Sequence, residues 1–262
     1  MFDVNNVLQL IERSLSSGRA SQALELAEQA ISQYRNEGRL YELAGLACCE
    51  LGKTEKAISK FESATVLCPL STISQVSLAS CYWRLGLEKP AITIANFLEQ
   101  RFLGGHIDLA EGTRLVHCFE ELGLFLAASK VCLKVYEEGM SNGHAAYGVA
   151  WYRALSGLEI LESVGWLETA VQLEPENACY RITLGYAFAD SGNTAAAVKT
   201  FLEINEDLIP QITCQFCLHE ICEYLSENDS SDSGIVQAMH RQLSRLGVTR
   251  KGVPILGDRY DV

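Results

Sequence analysis

Apolar residues recur along most of the chain at intervals of three and four, the spacing of one face of an α-helix. The clearest stretch predicts two helices separated by a polar turn at residues 51–54. Their apolar positions are Leu40, Leu43, Ala44, Ala47 and Leu51, then Ala57, Ile58, Phe61 and Ala64. Pro69 is expected to end the second helix because proline has no backbone N–H to donate. The pattern therefore predicts an antiparallel helix pair over residues 40–69.

The same pair recurs along the chain at intervals of 34, 34, 37, 34 and 35 residues. A glycine marks each turn, because glycine can adopt the left-handed backbone that closes the first helix. Most of these glycines are followed five residues later by an alanine, whose small side chain lets the second helix press against the first. The glycines are Gly18, Gly52, Gly86, Gly123, Gly157 and Gly192, and the alanines are Ala23, Ala57, Ala91, Ala128 and Ala197.

In its clearest units this pattern resembles the tetratricopeptide repeat. That family has an aromatic residue, Leu-Gly and Tyr on the first helix, and Ala, Phe and Pro on the second. The matching residues are Tyr41, Ala44, Gly45, Cys48, Ala57, Phe61 and Pro69, and in a later unit Leu184, Gly185, Phe188, Ala197 and Phe201. The fifth unit places Trp151 where the family prefers glycine. We expect this bulky ring to splay the helix pair or to aim it at another neighbour.

The resemblance implies an all-α fold, a right-handed α-solenoid of antiparallel helix pairs. Six units are expected, at residues 4–37, 38–71, 72–105, 109–142, 144–177 and 178–211. Residues 212–247 are expected to add a capping helix from Ile212 to Ser226, a polar linker and a final helix from Ile235 to Leu246. Residues 248–262 then form a basic tail with little regular structure.

The charge of the chain bears on its partners. A formal net charge of −12 argues against a broad phosphate-binding surface, so no nucleic acid is expected on the repeats. Residues 235–262 hold five basic and two acidic side chains, a net charge of +3, which leaves −15 on the rest. The basic tail within this segment could fold back onto the acidic repeats, dock on an acidic partner or stay solvated. Without a secretion signal or an apolar run of about 20 residues, we expect a cytoplasmic protein with no membrane insertion.

The cysteines are the main candidates for chemistry. Ten cysteines without a secretion signal predict reduced thiols. Cys214, Cys217 and Cys222 are clustered near His219, but helical spacing places the first two on an apolar face. Core packing is therefore favoured over a metal or redox site. The sequence contains none of the common nucleotide-binding or hydrolase motifs, so we predict no enzyme, no cofactor and no metal.

In tetratricopeptide proteins the first helices line a concave groove that holds a peptide or a partner helix. The resemblance therefore implies a set of partner-binding residues: Ile73, Val76, Trp83, Arg84, His117, Tyr152, Leu155, Ile182 and Tyr186. Co-chaperone members bind a carboxylate through Lys and Asn, but the corresponding positions here include Glu42, Leu46, Val76 and Ser80. An apolar or amphipathic protein segment is the expected ligand. Some of the rings could instead pack between repeats.

These observations favour a non-catalytic protein–protein interaction module or scaffold. A secretion-type chaperone that keeps an export substrate soluble is the alternative, and a Cys-based metal or redox protein is a third interpretation. Trp151 and the longer connection before the fourth unit leave open a homodimer surface or a local irregularity.

Overall fold

The computed structural model describes residues 3–139, 142–158, 160–228, 230 and 233–247. Within these ranges the chain has fourteen α-helices, two short 3₁₀ helices and no β-strand, which confirms the predicted all-α fold. The α-helices are α1 Val4–Ser16, α2 Ala20–Gln33, α3 Gly38–Glu50, α4 Thr54–Leu67, α5 Thr72–Arg84, α6 Glu88–Leu103, α7 Gly112–Glu121, α8 Phe125–Glu138, α9 Gly143–Leu155, α10 Ile160–Leu173, α11 Ala178–Asp190, α12 Thr194–Leu202, α13 Gln215–Glu227 and α14 Gly234–Arg245. The 3₁₀ helices are Leu109–Glu111 and Glu206–Gln211.

The helices divide into two compact units, which we call the N-terminal unit (Met1–Ala127) and the C-terminal unit (Ala128–Val262). In the N-terminal unit the helices pack as the pairs α1/α2, α3/α4 and α5/α6, followed by α7. In the C-terminal unit they pack as α9/α10, α11/α12 and α13/α14. Each unit is therefore an array of helical hairpins.

A glycine in the left-handed conformation closes the first helix of each predicted pair, as the spacing indicated. At one such turn, Gly52 has a φ of 67° and its N–H donates to the Cys49 carbonyl at 3.0 Å. The N–H of Lys53 donates to the Cys48 carbonyl at 2.9 Å, so the last carbonyls of α3 are satisfied. The other five glycines have φ between 67° and 80°: Gly18, Gly86, Gly123, Gly157 and Gly192.

Small residues let the two helices of a pair approach closely. Gly45 on α3 faces the fully buried ring of Phe61 on α4, and a Cβ at position 45 would lie 2.6 Å from that ring. Gly185 and Phe201 meet in the same way in the C-terminal unit. The alanines that follow the turns are all fully buried: Ala23, Ala57, Ala91, Ala128 and Ala197.

Trp151 does not splay the fifth pair, so the first alternative predicted for this ring is wrong. Helices α9 and α10 pack together about as extensively as α3 and α4. The Trp151 ring stacks on Tyr147 of its own helix, with centroids 5.9 Å apart and 16° between the planes. The bulk expected between the two helices is therefore accommodated along the surface of α9.

The C-terminal unit departs from the predicted boundaries after α12. Helix α12 ends at its C-cap residue Glu203, and the chain then forms the 3₁₀ helix that contains Pro210. The Asn205 side chain caps the start of this 3₁₀ helix. The predicted helix from Ile212 instead begins at Gln215, because the backbone at Ile212 is extended, with φ −78° and ψ 114°. Helices α13 and α14 pack over a shared apolar core that includes Leu218, Ile221, Met239 and Leu243. The predicted tail, residues 248–262, lies outside the described residues.

Candidate partner-binding surface

The first helices of successive pairs form a row in the N-terminal unit. Helix α1 contacts α3, α3 contacts α5, and α5 contacts α7. We use the name first-helix surface for the partly or fully exposed side chains Ile73, Trp83, Arg84 and His117, which lie on α5 and α7. Because α5 has a first helix on each side, its exposed residues lie in the middle of the row.

Helix α5 supplies the apolar part of this surface. Its N-terminus is capped by Ser71, whose Oγ accepts from the Ser74 N–H at 3.4 Å. Ile73 is 37% exposed and Trp83 is half-buried, whereas Val76 is only 9% exposed. Two of the three predicted apolar residues on α5 therefore offer area to a partner, and Val76 packs inward.

Charged side chains border the apolar part. Arg84 Nε lies 2.9 Å from Glu121 Oε1, an ion pair that joins α5 to α7. His117 Nδ1 lies 3.7 Å from Glu120 Oε2 on the same helix. The exposed Arg84–Glu121 pair stabilises the fold by at most about 1 kcal/mol, so it matters more for the charges presented to a partner. Glu121 borders the first-helix surface and was not among the residues predicted from the sequence.

A buried carboxylate connects α3 to the start of α5. The Glu42 side chain is 3% exposed, accepts from the N–H and Oγ of Ser71 at 2.9 and 2.5 Å, and lies 2.7 Å from Arg39 Nη1. Burial alone would raise the pKa of Glu42, but hydrogen bonds from Ser71, Ser74 and Arg39 outweigh it and hold the pKa below its ordinary value. Arg39 also binds Glu12 of α1 at 2.9 Å. This network fixes three neighbouring first helices relative to one another.

The four predicted residues of the C-terminal unit differ in burial. Tyr152 and Ile182 are 8% and 5% exposed, and Ile182 belongs to the core that contains Phe201. Leu155 and Tyr186 are half-buried. The Tyr186 hydroxyl donates to the Cys217 carbonyl at 3.2 Å, so this ring is held in place at its polar end.

Two other apolar surfaces of the N-terminal unit were missed by the sequence analysis. A cleft of about 470 Å³ lies at α1 and α2, lined by Leu10, Leu26 and Tyr34 among others. On α6, the second helix of its pair, Phe97 is 50% exposed. Helical periodicity places Leu10, Leu26 and Phe97 on helices. It does not show which face of each helix a neighbouring repeat covers.

The cysteine cluster offers no metal site. Among the residues that the structure describes, no group of three or more His, Cys, Asp or Glu side chains is arranged to hold a metal ion. Cys222 is buried in the core of the C-terminal unit, as predicted. Cys214 instead precedes α13 as its N-cap and is half-buried, so the core-packing prediction is wrong for this residue. His219 faces Glu223 on its own helix, with Nδ1 3.4 Å from Oε2.

No protein-family model matches the chain, and no curated protein matches it. Solved structures do match. The C-terminal part of a TPR repeat-containing protein from Cytophaga hutchinsonii aligns at a TM-score of 0.70 and 14% identity, covering 91% of this chain and 95% of that one. A chain of the Naa15/Naa10 complex bound to HypK aligns at 0.56 and 16% identity, over 92% of this chain and 37% of that one. YrrB, described as a TPR protein with an unusual peptide-binding site, aligns at 0.51 and 16% identity, over 68% and 90%.

These likenesses concern the fold, since every identity is far below the level that would carry a shared function. None of the helices in the described part of the chain is long and apolar enough to cross a membrane. The helical hairpins, their glycine turns and the solved neighbours agree with the resemblance seen in the sequence. The chain is a helical repeat protein with the tetratricopeptide-repeat fold.

Proposed function

We propose that the protein is a non-catalytic interaction module that holds an apolar or amphipathic segment of a partner protein on the first-helix surface. The observation that carries this proposal is the exposure of Ile73 and Trp83 on α5, the helix flanked by α3 and α7. Accessible apolar side chains that form a contiguous patch are typical of binding sites. Tryptophan in particular buries much area with few rotatable bonds and often dominates binding energy.

The border of the surface is polar and suggests the character of the partner's edge. Glu120 and Glu121 supply two exposed carboxylates, and Arg84 and His117 lie beside them. An amphipathic helix that places apolar residues at i, i+3, i+4 and i+7 on α5, with polar residues along its edge, fits this arrangement. Such complementarity contributes to the choice of partner and to the rate of association.

The buried residues of the predicted set have a supporting role in this proposal. Val76, Tyr152 and Ile182 expose less than a tenth of their area, so they shape their surroundings without contacting the partner in this conformation. Leu155 and Tyr186 keep part of their area accessible and offer a second apolar patch within the C-terminal unit. The described peptide-binding site of YrrB and the Naa15/Naa10 complex with HypK support a protein ligand.

Selection from a displayed library of random peptides tests the proposal without knowledge of the natural partner. The wild-type protein should enrich peptides with an apolar stripe of helical spacing. The double variant Ile73→Asp/Trp83→Ala should bind the selected peptides at least about tenfold more weakly, the effect expected when hot-spot side chains are removed. Phe97→Ala is the matched control, because it removes an exposed aromatic ring from the second helix of the same pair.

Equal binding by the wild type and the double variant, with circular dichroism showing both folded, would overturn the proposal. A selection that enriches only polar peptides would do the same. Co-expression with a captured natural partner separates the two versions of the function. A chaperone raises the soluble yield of its partner, whereas a passive scaffold leaves the yield unchanged.

A further inference from the structure

Two cysteines meet at the N-terminus of α13. Cys214 is the N-cap residue, and its Sγ accepts a hydrogen bond from the backbone N–H of Cys217 at 3.2 Å. The Cys214 thiol donates to the Sγ of Cys217, with the two sulfur atoms 2.7 Å apart. The C-x-x-C spacing thus places the two sulfur atoms side by side, because an N-cap side chain folds back over the residue three positions later.

The two thiols have different surroundings. The Cys214 sulfur receives a backbone N–H at the start of a 13-residue helix and is partly exposed. Burial, together with the hydrogen bond to Cys214, raises the pKa of Cys217 to about 12. Cys214 therefore lies at the helix end, where a small disulfide can reach it, and Cys217 lies close enough to attack the mixed disulfide that forms there.

The other close thiols of the chain differ in their placement. Cys222 lies on the same helix but is buried in the core, and burial raises its pKa to about 11. The sulfur atoms of Cys49 and Cys81 lie 3.5 Å apart, but these residues are in the last turns of α3 and α5, and Cys81 is buried. The pair at the start of α13 is distinguished by its capping geometry and by the partial exposure of both cysteines.

We propose that Cys214 and Cys217 form a dithiol site that is oxidised to an intramolecular disulfide by exchange with a small disulfide such as oxidised glutathione. The Cys214 thiolate attacks one sulfur of the small disulfide, forms a mixed disulfide and releases one small thiol, which carries away the proton that Cys214 lost. Cys217 then loses its proton and attacks the Cys214 sulfur, which releases the second small thiol with that proton. The protein loses two electrons and two protons, and the small disulfide gains them. This inference does not depend on the first-helix surface.

The test is to equilibrate the intact protein in buffers with graded ratios of reduced to oxidised glutathione, and then to alkylate free thiols and map them by mass spectrometry. The wild type should become protected at Cys214 and Cys217 together, while Cys222 stays alkylatable after unfolding. In Cys217→Ser, a glutathione adduct should accumulate at Cys214, because the resolving thiol is absent. In Cys214→Ser, Cys217 should stay unmodified.

A second measurement uses only the folded wild type, so it tests the proposal even if a variant folds poorly. In the folded wild type, alkylation of Cys214 should be at least about tenfold faster than alkylation of Cys222. Equal rates would overturn the proposal, as would two free thiols at every glutathione ratio. A disulfide that joins Cys214 to the exposed Cys179 of α11 instead of to Cys217 would also overturn it.

Discussion

Replacing Glu42 by glutamine should loosen the junction between α3 and α5. Glutamine keeps the size of the side chain but removes the charge that receives bonds from the N–H and Oγ of Ser71 and from Arg39. A hydrogen bond to a charged group contributes about 1.5–3 kcal/mol, against about 0.5–1.5 kcal/mol for a neutral one. Three weakened bonds, less the relief of a buried charge, give a loss of about 2 kcal/mol in the free energy of unfolding.

Glu12→Gln is the matched control for this change. Glu12 binds the same Arg39 at 2.9 Å, but its side chain is 46% exposed, so its loss should cost less than about 1 kcal/mol. Hydrogen exchange followed by mass spectrometry should show faster exchange in the first turn of α5 for Glu42→Gln and no change there for Glu12→Gln. If the two variants exchange alike, the buried carboxylate does not hold the junction and the reasoning is refuted.

Acid should weaken the same junction. The pKa of Glu42 in the folded chain is below its ordinary value, which is about 4.3 in an unfolded chain. The stabilisation is therefore complete above the ordinary pKa and is lost as the pH falls through the lower, folded-state pKa. Wild-type protection of α5 should decline over that range, and Glu42→Gln should lack this decline. Parallel acid profiles for the two proteins would contradict the role assigned to this carboxylate.

Three further substitutions test the packing. Gly45→Ala places a Cβ 2.6 Å from the Phe61 ring and should lower stability by about 1–3 kcal/mol in urea denaturation; an unchanged midpoint would show that the pair can open without cost. Gly165→Ala meets no atom within 4 Å and should raise stability by about 0.5–1 kcal/mol through helix propensity, and a decrease would refute this. Tyr186→Phe removes the donor to the Cys217 carbonyl and should cost about 1 kcal/mol, measured by thermal unfolding; no loss would mean that the bond adds nothing to stability.

The helical hairpins could be predicted from the sequence because their signals are local. A glycine such as Gly52 is needed wherever the backbone turns left-handed, and an alanine such as Ala57 wherever two helices touch. Both requirements recur at the repeat period, so each helix pair supports the prediction of the others. The same reasoning placed the candidate residues on the first helices.

The end of the repeats was harder to predict because single side chains decide it. Asn205 caps a 3₁₀ helix that contains Pro210, and Cys214 caps α13 with a sulfur atom in place of the usual oxygen. Apolar residues at helical spacing continue through this region, and their pattern does not predict either cap. The cysteine pair was therefore interpreted as one face of a longer helix.

The exposure of the candidate residues could not be read from periodicity either. Val76 and Ile73 lie on the same helix, yet the first is buried and the second exposed, since neighbouring helices cover only one of them. Trp151 was expected between two helices and instead stacks on Tyr147. Burial in a repeat array depends on contacts between successive helix pairs. The sequence pattern within one pair does not contain these contacts.

Photo-crosslinking shows whether a bound peptide contacts the first-helix surface. A photoreactive phenylalanine analogue is placed at position 73 in one protein and at position 97 in another, and each is irradiated with the same peptide selected by the wild type. Both positions are exposed, but only position 73 lies on the first-helix surface. The account predicts a covalent peptide adduct from position 73 and none from position 97. An adduct that forms only from position 97 would place the ligand on the second helices and contradict the account.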